Sequence, residues 1–236
     1  MRRVTLLGVA VGLMVALVAG CGGQSGGSSG GTSVKSGKAY SPDIRPADFS
    51  DVIDNKFFPL DPGTTFIYEG GSERDVMAVT SDTKEIMGVK CVVVDDRGYA
   101  GGNLIEKTYD WFAQDDKGNV WYFGEDTKEL DNGKVTSTHG SWEAGVDGAK
   151  PGIIMQGDPK IGESYRQEYY KGEAEDTAEV VSLDESATVP YGSFDRVLET
   201  REWTPLEPSY DEHKYYAAGV GQVSGGGLEL VEVNHG

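Results

Sequence analysis

Trp111-Phe112-Ala113-Gln114-Asp115-Asp116-Lys117-Gly118-Asn119-Val120-Trp121-Tyr122-Phe123 sets two aromatic, β-prone runs on either side of a polar, glycine-bearing break. Each run is too short for a helix, and Asp, Gly and Asn between them are turn formers, so the stretch predicts a β-hairpin with a longer loop. The same grammar recurs from residue 64 to the C-terminus. Runs of Val, Thr, Tyr, Phe and Trp predict strands at 64–69, 73–81, 86–95, 103–114, 119–126 and 134–142. Further runs follow at 163–171, 174–184, 186–190, 195–204, 212–218 and 227–233. Asp131-Asn132-Gly133 carries the Asn-Gly pair that favours a tight hairpin turn.

Strands that follow one another through short turns make an antiparallel meander. So many must curl or close, and the fold class expected is mainly β: a curled half-barrel or barrel, with little helix beyond the signal peptide. Ala47 to Asn55 is the one later stretch suited to a short helix or turn. Several strands are apolar on both sides, as in Val89-Lys90-Cys91-Val92-Val93-Val94, so either both faces are covered or one lines a cavity. Ala144 to Pro159 shows no strand or helix pattern yet contains Ile153-Ile154-Met155. A structureless loop of that length is uncommon. It reads either as a plug or as a lid hinged on its glycines.

Upstream, Arg2 and Arg3 precede an uncharged apolar run, Val4 to Gly20, which ends in Leu17-Val18-Ala19-Gly20-Cys21. This resembles the lipobox of bacterial lipoproteins, and the resemblance implies cleavage after Gly20 and lipid attachment to Cys21. The organisation expected is a signal peptide at 1–20, a lipidated Cys with a Gly/Ser-rich tether at 21–38, and one β-rich domain at 39–236. A Gly/Ser coil as long as 22–38 spans roughly 20–25 Å. The partner implied is the cell membrane, held through Cys21, with the domain on its extracytoplasmic side; Gly22 is compatible with an outer membrane where one exists. Phe58-Pro59-Leu60-Asp61-Pro62-Gly63 and Tyr215-Tyr216-Ala217-Ala218-Gly219-Val220-Gly221-Gln222-Val223 also resemble an uncharacterised family of bacterial lipoproteins. The second motif is similar to those of LolA-like lipoprotein carriers, which implies a curled antiparallel half-barrel. Neither resemblance brings catalytic or binding residues with it.

Loss of Arg2 and Arg3 takes the formal net charge from −18 to about −20. So acidic a chain is unsuited to nucleic acid, whose phosphates require Lys/Arg clusters. His139, His213 and His235 are scattered, so no metal site is expected. Gly23-Gln24-Ser25-Gly26-Gly27 matches a nucleophile elbow only in letters, for it lacks the strand before and the helix after. No catalytic residue and no cofactor are expected. Cys91, within valines, reads as a small buried apolar residue. In an open barrel Trp111, Trp121, Tyr122, Trp142 and Tyr169 line a ligand cavity, with Ile153, Ile154 and Met155 sealing it; in a filled barrel they are core.

Three functions are compatible with these features. The first is a non-catalytic lipoprotein that binds an apolar or amphipathic ligand or an envelope protein. The second is an envelope hydrolase using paired carboxylates, drawn from Glu173, Glu175, Asp176, Glu199, Glu202, Glu207, Asp211 and Glu212. The third is a structural protein that docks through its acidic face.

Overall fold

The computed structural model describes residues 39–236. The expected signal peptide, Cys21 and the tether lie outside the described residues. One 3-10 turn, Pro46–Asp48, leads into β1 (Phe49–Ser50), and the rest is strand and turn. β2 (Thr65–Gly70), β3 (Glu73–Ile86), β4 (Val89–Ala100), β5 (Asn103–Asp115) and β6 (Val120–Asp131) form the first meander. Short strands follow: β7 (Lys134–Ser137), β8 (Trp142–Glu143), β9 (Lys150–Met155), β10 (Ser164–Arg166) and β11 (Glu168–Tyr169). β12 (Thr177–Val189), β13 (Gly192–Thr204), β14 (Glu207–Ala217), β15 (Gly221–Gly225) and β16 (Leu228–Asn234) complete the second meander.

Across the sheet the order is β10-β12-β13-β14-β15-β16-β2-β3-β4-β5-β6-β9-β11, every pair antiparallel. Two joints turn the meanders into a nearly closed barrel. β16 returns to β2, setting Leu230 opposite Tyr68. At the other side β10 and β11 stand at the two ends of the order, yet only Gln167 separates them in the chain. The segment 164–169 therefore pairs with β12 through its first half and with β9 through its second.

The mainly β, barrel-like expectation holds, and its departures have local causes. Asn132 and Gly133 take positive φ and join β6 to β7 in the two-residue turn that the Asn-Gly pair favours. β3 runs on through Ser81-Asp82-Thr83-Lys84-Glu85, which reads as a break because its side chains are polar and largely exposed. There β3 and β4 join in a hairpin, with Met87 and Gly88 at its tip in the left-handed region. The two runs at 174–184 and 186–190 are one strand, β12, and β15 had no counterpart among the predicted strands.

The loop expected at Ala144 to Pro159 is corrected: β9 occupies its centre and pairs with β6, placing Trp121 opposite Ile153 and Val120 opposite Met155. Pro151 and Gly152 hide this strand in the sequence. Both answer to the seam, where β9 meets β11 over only two residue pairs: Pro151 has no N–H to donate there, and Gly152 leaves room for the closing segment to pass close by. A Cβ on Gly152 would lie 2.3 Å from the Gln167 carbonyl carbon and 2.6 Å from the Glu168 nitrogen.

Both faces of β4–β6 are covered. Outside, Phe49 packs edge-on against Trp121 and Phe123, at 6.1 and 5.6 Å between ring centroids. Inside, Phe112 stacks on Tyr122 at 4.9 Å and meets Phe58 edge-on at 5.6 Å. Phe57, Phe58 and Leu60 are buried and plug this end of the barrel. Asn55 fixes the plug: its Oδ1 accepts from the amides of Phe57 and Phe58, and its Nδ2 donates to the carbonyls of Gly118 and Gln156. The plug also meets the β14–β15 turn, where the Gly219 amide donates to the Lys56 carbonyl at 2.7 Å.

Gly152→Ala should destabilise the domain by about 1–3 kcal/mol through overpacking against backbone that has little room to yield. Denaturant unfolding is the check, and an unchanged midpoint would mean that the seam is looser than described.

Candidate functional site

The residues expected to line a cavity do not come together as one. Tyr122 is buried, and Trp142 meets it edge-on at 5.3 Å; these two share the interior. Trp111 faces outward under Lys84, whose Nζ stands 3.3 Å from the ring centroid and 2.7 Å from Glu143 Oε2. Trp121 lies under Phe49 and donates to Asp115 Oδ2 at 2.9 Å. Ile154 and Met155 are buried and Ile153 half-buried, all within β9. Tyr169 sits at the seam beside Tyr40, Lys150 and Arg166, where the chain enters the domain. At the apolar end, the space bounded by Phe58, Leu60, Phe66, Tyr68 and Met77 is about 10 Å³, room for about one water.

The opposite half of the interior is polar, and this feature was not legible strand by strand. Eight carboxyl-bearing residues are buried among the described residues: Asp75, Asp96, Asp110, Glu125, Glu168, Asp176, Glu202 and Glu212. Register places them on the inner wall. Asp75 faces Tyr68, Asp96 faces Thr108, Asp110 faces Glu125, and Glu202 faces Glu212 across their ladders. A β-bulge at Phe123-Gly124 lets both Tyr122 and Glu125 point inward. Half-buried Glu106 continues the belt toward the 100–103 turn. Lys214 is the one buried Lys or Arg side chain among the described residues.

The two sides of this belt are satisfied differently. Around Lys214 the network is dense. Its Nζ lies 2.8 Å from Glu202 Oε2, while Glu202 Oε1 accepts from Gln167 Nε2 and Thr200 Oγ1, each at 3.0 Å. Tyr210 donates its hydroxyl to Glu212. Burial works against the Lys214 charge, but Glu202 and Glu212 outweigh it and hold the ammonium well above its usual pKa. On the β3–β6 side the partners are neutral: Tyr122 donates to Asp110 Oδ1 at 2.6 Å, and Thr108 and Thr127 bond to each other at 2.6 Å. Across the interior, Trp142 Nε1 donates to Glu168 Oε2 at 3.1 Å.

Burial, then the neighbouring acids, lifts six inward carboxyls, Asp96, Glu106, Asp110, Glu125, Glu168 and Asp176, out of their ordinary range. Burial pushes Asp96 well up, and Asp75, Asp110 and Glu106 push it further. Burial with Asp75 beside it raises Glu106 to about 7. Burial raises Asp110 to about 7 against the Tyr122 hydrogen bond, and raises Asp176 to about 7 against one from Thr204. Glu125 and Glu168 are lifted well above the carboxylate range by burial and then by like charge. Several belt carboxyls therefore hold protons near neutral pH, where they can donate hydrogen bonds or exchange the proton for another cation. Among the described residues no group of three or more His, Cys, Asp or Glu side chains is arranged to hold a metal ion.

Of the carboxylates that sequence alone offers as pairs, Asp176, Glu202 and Glu212 belong to the belt. Glu199 instead accepts from exposed His213 at 2.6 Å, and Asp211 pairs with Arg201. The available signal for the rest was period two running from acid into apolar residue, as in Glu106, Thr108, Asp110 and Phe112 along β5.

No protein-family model matches the chain, and no curated protein matches it. Among solved structures, a hypothetical protein from Chlamydia trachomatis is 11% identical, over 74% of this chain and 88% of that one, at a TM-score of 0.24.

Two outcomes follow from these environments. Cys91 is fully buried, and burial raises its thiol to about 12, so the native protein should resist thiol reagents until denaturant is added. Rapid native labelling would contradict that. Asp96, Glu106, Asp110, Glu125, Glu168 and Asp176 have folded pKa values above their unfolded ones, so the unfolded chain loses their protons first as pH rises from about 4. Stability should fall between about pH 4.5 and pH 7.5, by about 1.4 kcal/mol per pH unit for each proton of difference. Thermal midpoints at pH 5 and pH 8 measure this, and a higher midpoint at pH 8 would refute the protonated belt.

Proposed function

We propose that this chain is a lipoprotein anchored to a membrane through Cys21, whose extracytoplasmic barrel is a non-catalytic binding module that takes its ligand at the acidic end. The carrying observation is the composition of the inner wall: eight buried carboxyl-bearing residues against a single ammonium, Lys214. A ligand with a cationic group satisfies such a wall, whether that ligand is a small amphipathic molecule or a segment of an envelope protein. The small space left among the apolar core residues favours this over a purely apolar ligand. The lipobox and the Gly/Ser run after it support the tethered placement, and the resemblance to bacterial lipoproteins agrees with it. The paired-carboxylate hydrolase has less in its favour. Its inward carboxyls are buried and hydrogen-bonded to Tyr, Trp, Thr and Gln, and the Glu199–His213 pair faces outward.

Cys21→Ala should block lipid attachment and the cleavage after Gly20 that goes with it, leaving a heavier unlipidated precursor, and unchanged mass and cleavage in the variant would overturn the anchor. Gently solubilised wild-type protein should carry a bound species in native mass spectrometry, and Asp110→Asn should lose it. A wild-type protein that carries nothing would end the binding reading in favour of a structural role.

A further inference from the structure

The β3–β4 turn sets a large apolar side chain where glycine is the unstrained choice. Met87 takes φ +53°, in the left-handed region, and is 46% exposed. An unbranched residue holds that conformation only at some cost. Met87 does not stand alone. Its side chain lies over the 145–148 turn, where a Cβ on Gly145 would be 3.1 Å from Met87 Cγ, and the next residue, Val146, is 49% exposed. On the other flank, Pro46 Cγ would lie 3.2 Å from a Cβ on Gly88. Val52, 63% exposed, follows Asp51, which pairs with Lys90 at 2.8 Å.

Two observations say what covers this apolar tip. The first is where the tether arrives. Tyr40, near the start of the described residues, donates its hydroxyl to the Pro151 carbonyl, and its own carbonyl accepts from Lys150. Lys150 follows Ala149, whose carbonyl accepts from the Gly145 amide at 2.9 Å. Tyr40, Gly145 and Met87 thus lie along one run of contacts, and the chain that leads back to Cys21 leaves the domain beside the tip. The second is charge. The whole chain carries −18, yet four carboxylates around the tip are compensated. Arg45 bridges Asp43 and Asp48, Lys90 holds Asp51, and Lys84 holds Glu143. Glu85 and Asp147 remain, against Lys150 and Arg166 beside Tyr40, none of the four in an ion pair among the described residues. This face is balanced, whereas a strongly acidic one is repelled by anionic headgroups.

We infer that the face formed by Met87, Val146, Pro46 and Val52 docks onto the bilayer that holds Cys21, with Met87 and Val146 reaching past the headgroups into its apolar layer. The inference rests on the anchoring part of the reading above. The tether of residues 22–38 keeps the domain at an effective concentration of about millimolar over the membrane, so contact through a few apolar side chains suffices. The β3–β4 turn lies at the plugged end, whereas the turns at 70–73 and 100–103 lie at the acidic end. Docking therefore holds the acidic end away from the bilayer.

The test uses the full lipidated chain in phosphatidylcholine vesicles, with Met87→Cys, Val146→Cys or Val135→Cys carrying an environment-sensitive fluorophore. Buried Cys91 and lipidated Cys21 leave the new thiol as the one labelled. Labels at 87 and 146 should shift to the blue and lose most of their emission to lipids brominated high on the acyl chain. The label at exposed Val135, in β7 at the acidic end, should do neither. Met87→Gly relieves the turn, so it should raise the thermal midpoint while the label at 146 loses most of its quenching. Should Met87→Cys fail to fold, Val146→Cys decides. With lipid on Cys21 verified by mass, unquenched labels at 87 and 146, or equal quenching at 135, would overturn the docking and leave the anchor standing. A blue shift in detergent that grows with protein concentration would assign the face to a second copy of the chain. A label shielded in native membranes but free in vesicles would assign it to an envelope protein. Either result overturns the inference. Absence of lipid from Cys21 would end both the anchor and the docking.

Discussion

The burial of carboxyl groups inside the barrel is the constraint on which the rest depends. An isolated carboxylate is costly to remove from water, so a chain that buries eight carboxyl-bearing residues must neutralise or pair them. This one does both. Around Lys214 it builds an ion pair supported by Gln167, Thr200 and Tyr210, of the kind whose breakage costs about 3–5 kcal/mol. On the facing strands it leaves protons on the acids and gives them Tyr122 and Trp142 as donors. The apolar half then has to carry most of the burial energy. It is accordingly dense, with stacked and edge-on aromatics from Phe58 to Trp142.

The segments Phe58 to Gly63 and Tyr215 to Val223 belong to that apolar half. Phe58 and Leu60 supply the plug, and Gly63, at φ +93°, turns the chain out toward β2. In the second segment, Gly219 and Gly221 take positive φ and let the β14–β15 turn close over the plug through the bond from Gly219 to Lys56. Their role in this chain is to stopper one end of the barrel, which leaves the other end as the place where chemistry can vary.

The fold class was legible because turn residues and β-prone runs alternate along the second two-thirds of the chain. What escaped did so for physical reasons. Pro151 and Gly152 answer to the seam, so a genuine strand carried no strand signal. Ser81 to Glu85 stay extended because pairing with β4 resumes at Thr83 and Lys84 is held by Trp111 and Glu143, neither of which shows in the local sequence. The belt was hidden by a sound rule applied in the wrong place: polar alternation normally marks a wet face, whereas here Asp96 points in while Asp95 and Arg97 point out. A single strand holds no information on which of two polar faces is enclosed. That is decided only when the sheet curls.

The joint between β16 and β2 fixes when the barrel can exist at all. β2 gains its second neighbour only from residues 228–234, at the far end of the chain. A nascent chain can zip each meander through local turns, but it carries β2, with Phe66 and Tyr68, as an unpaired edge until residues 228–234 arrive. Loss of a few C-terminal residues is therefore not a trimming of a frayed end. It converts a closed surface into an adhesive one and exposes the neutral acids of the interior to water, where they would ionise and repel one another.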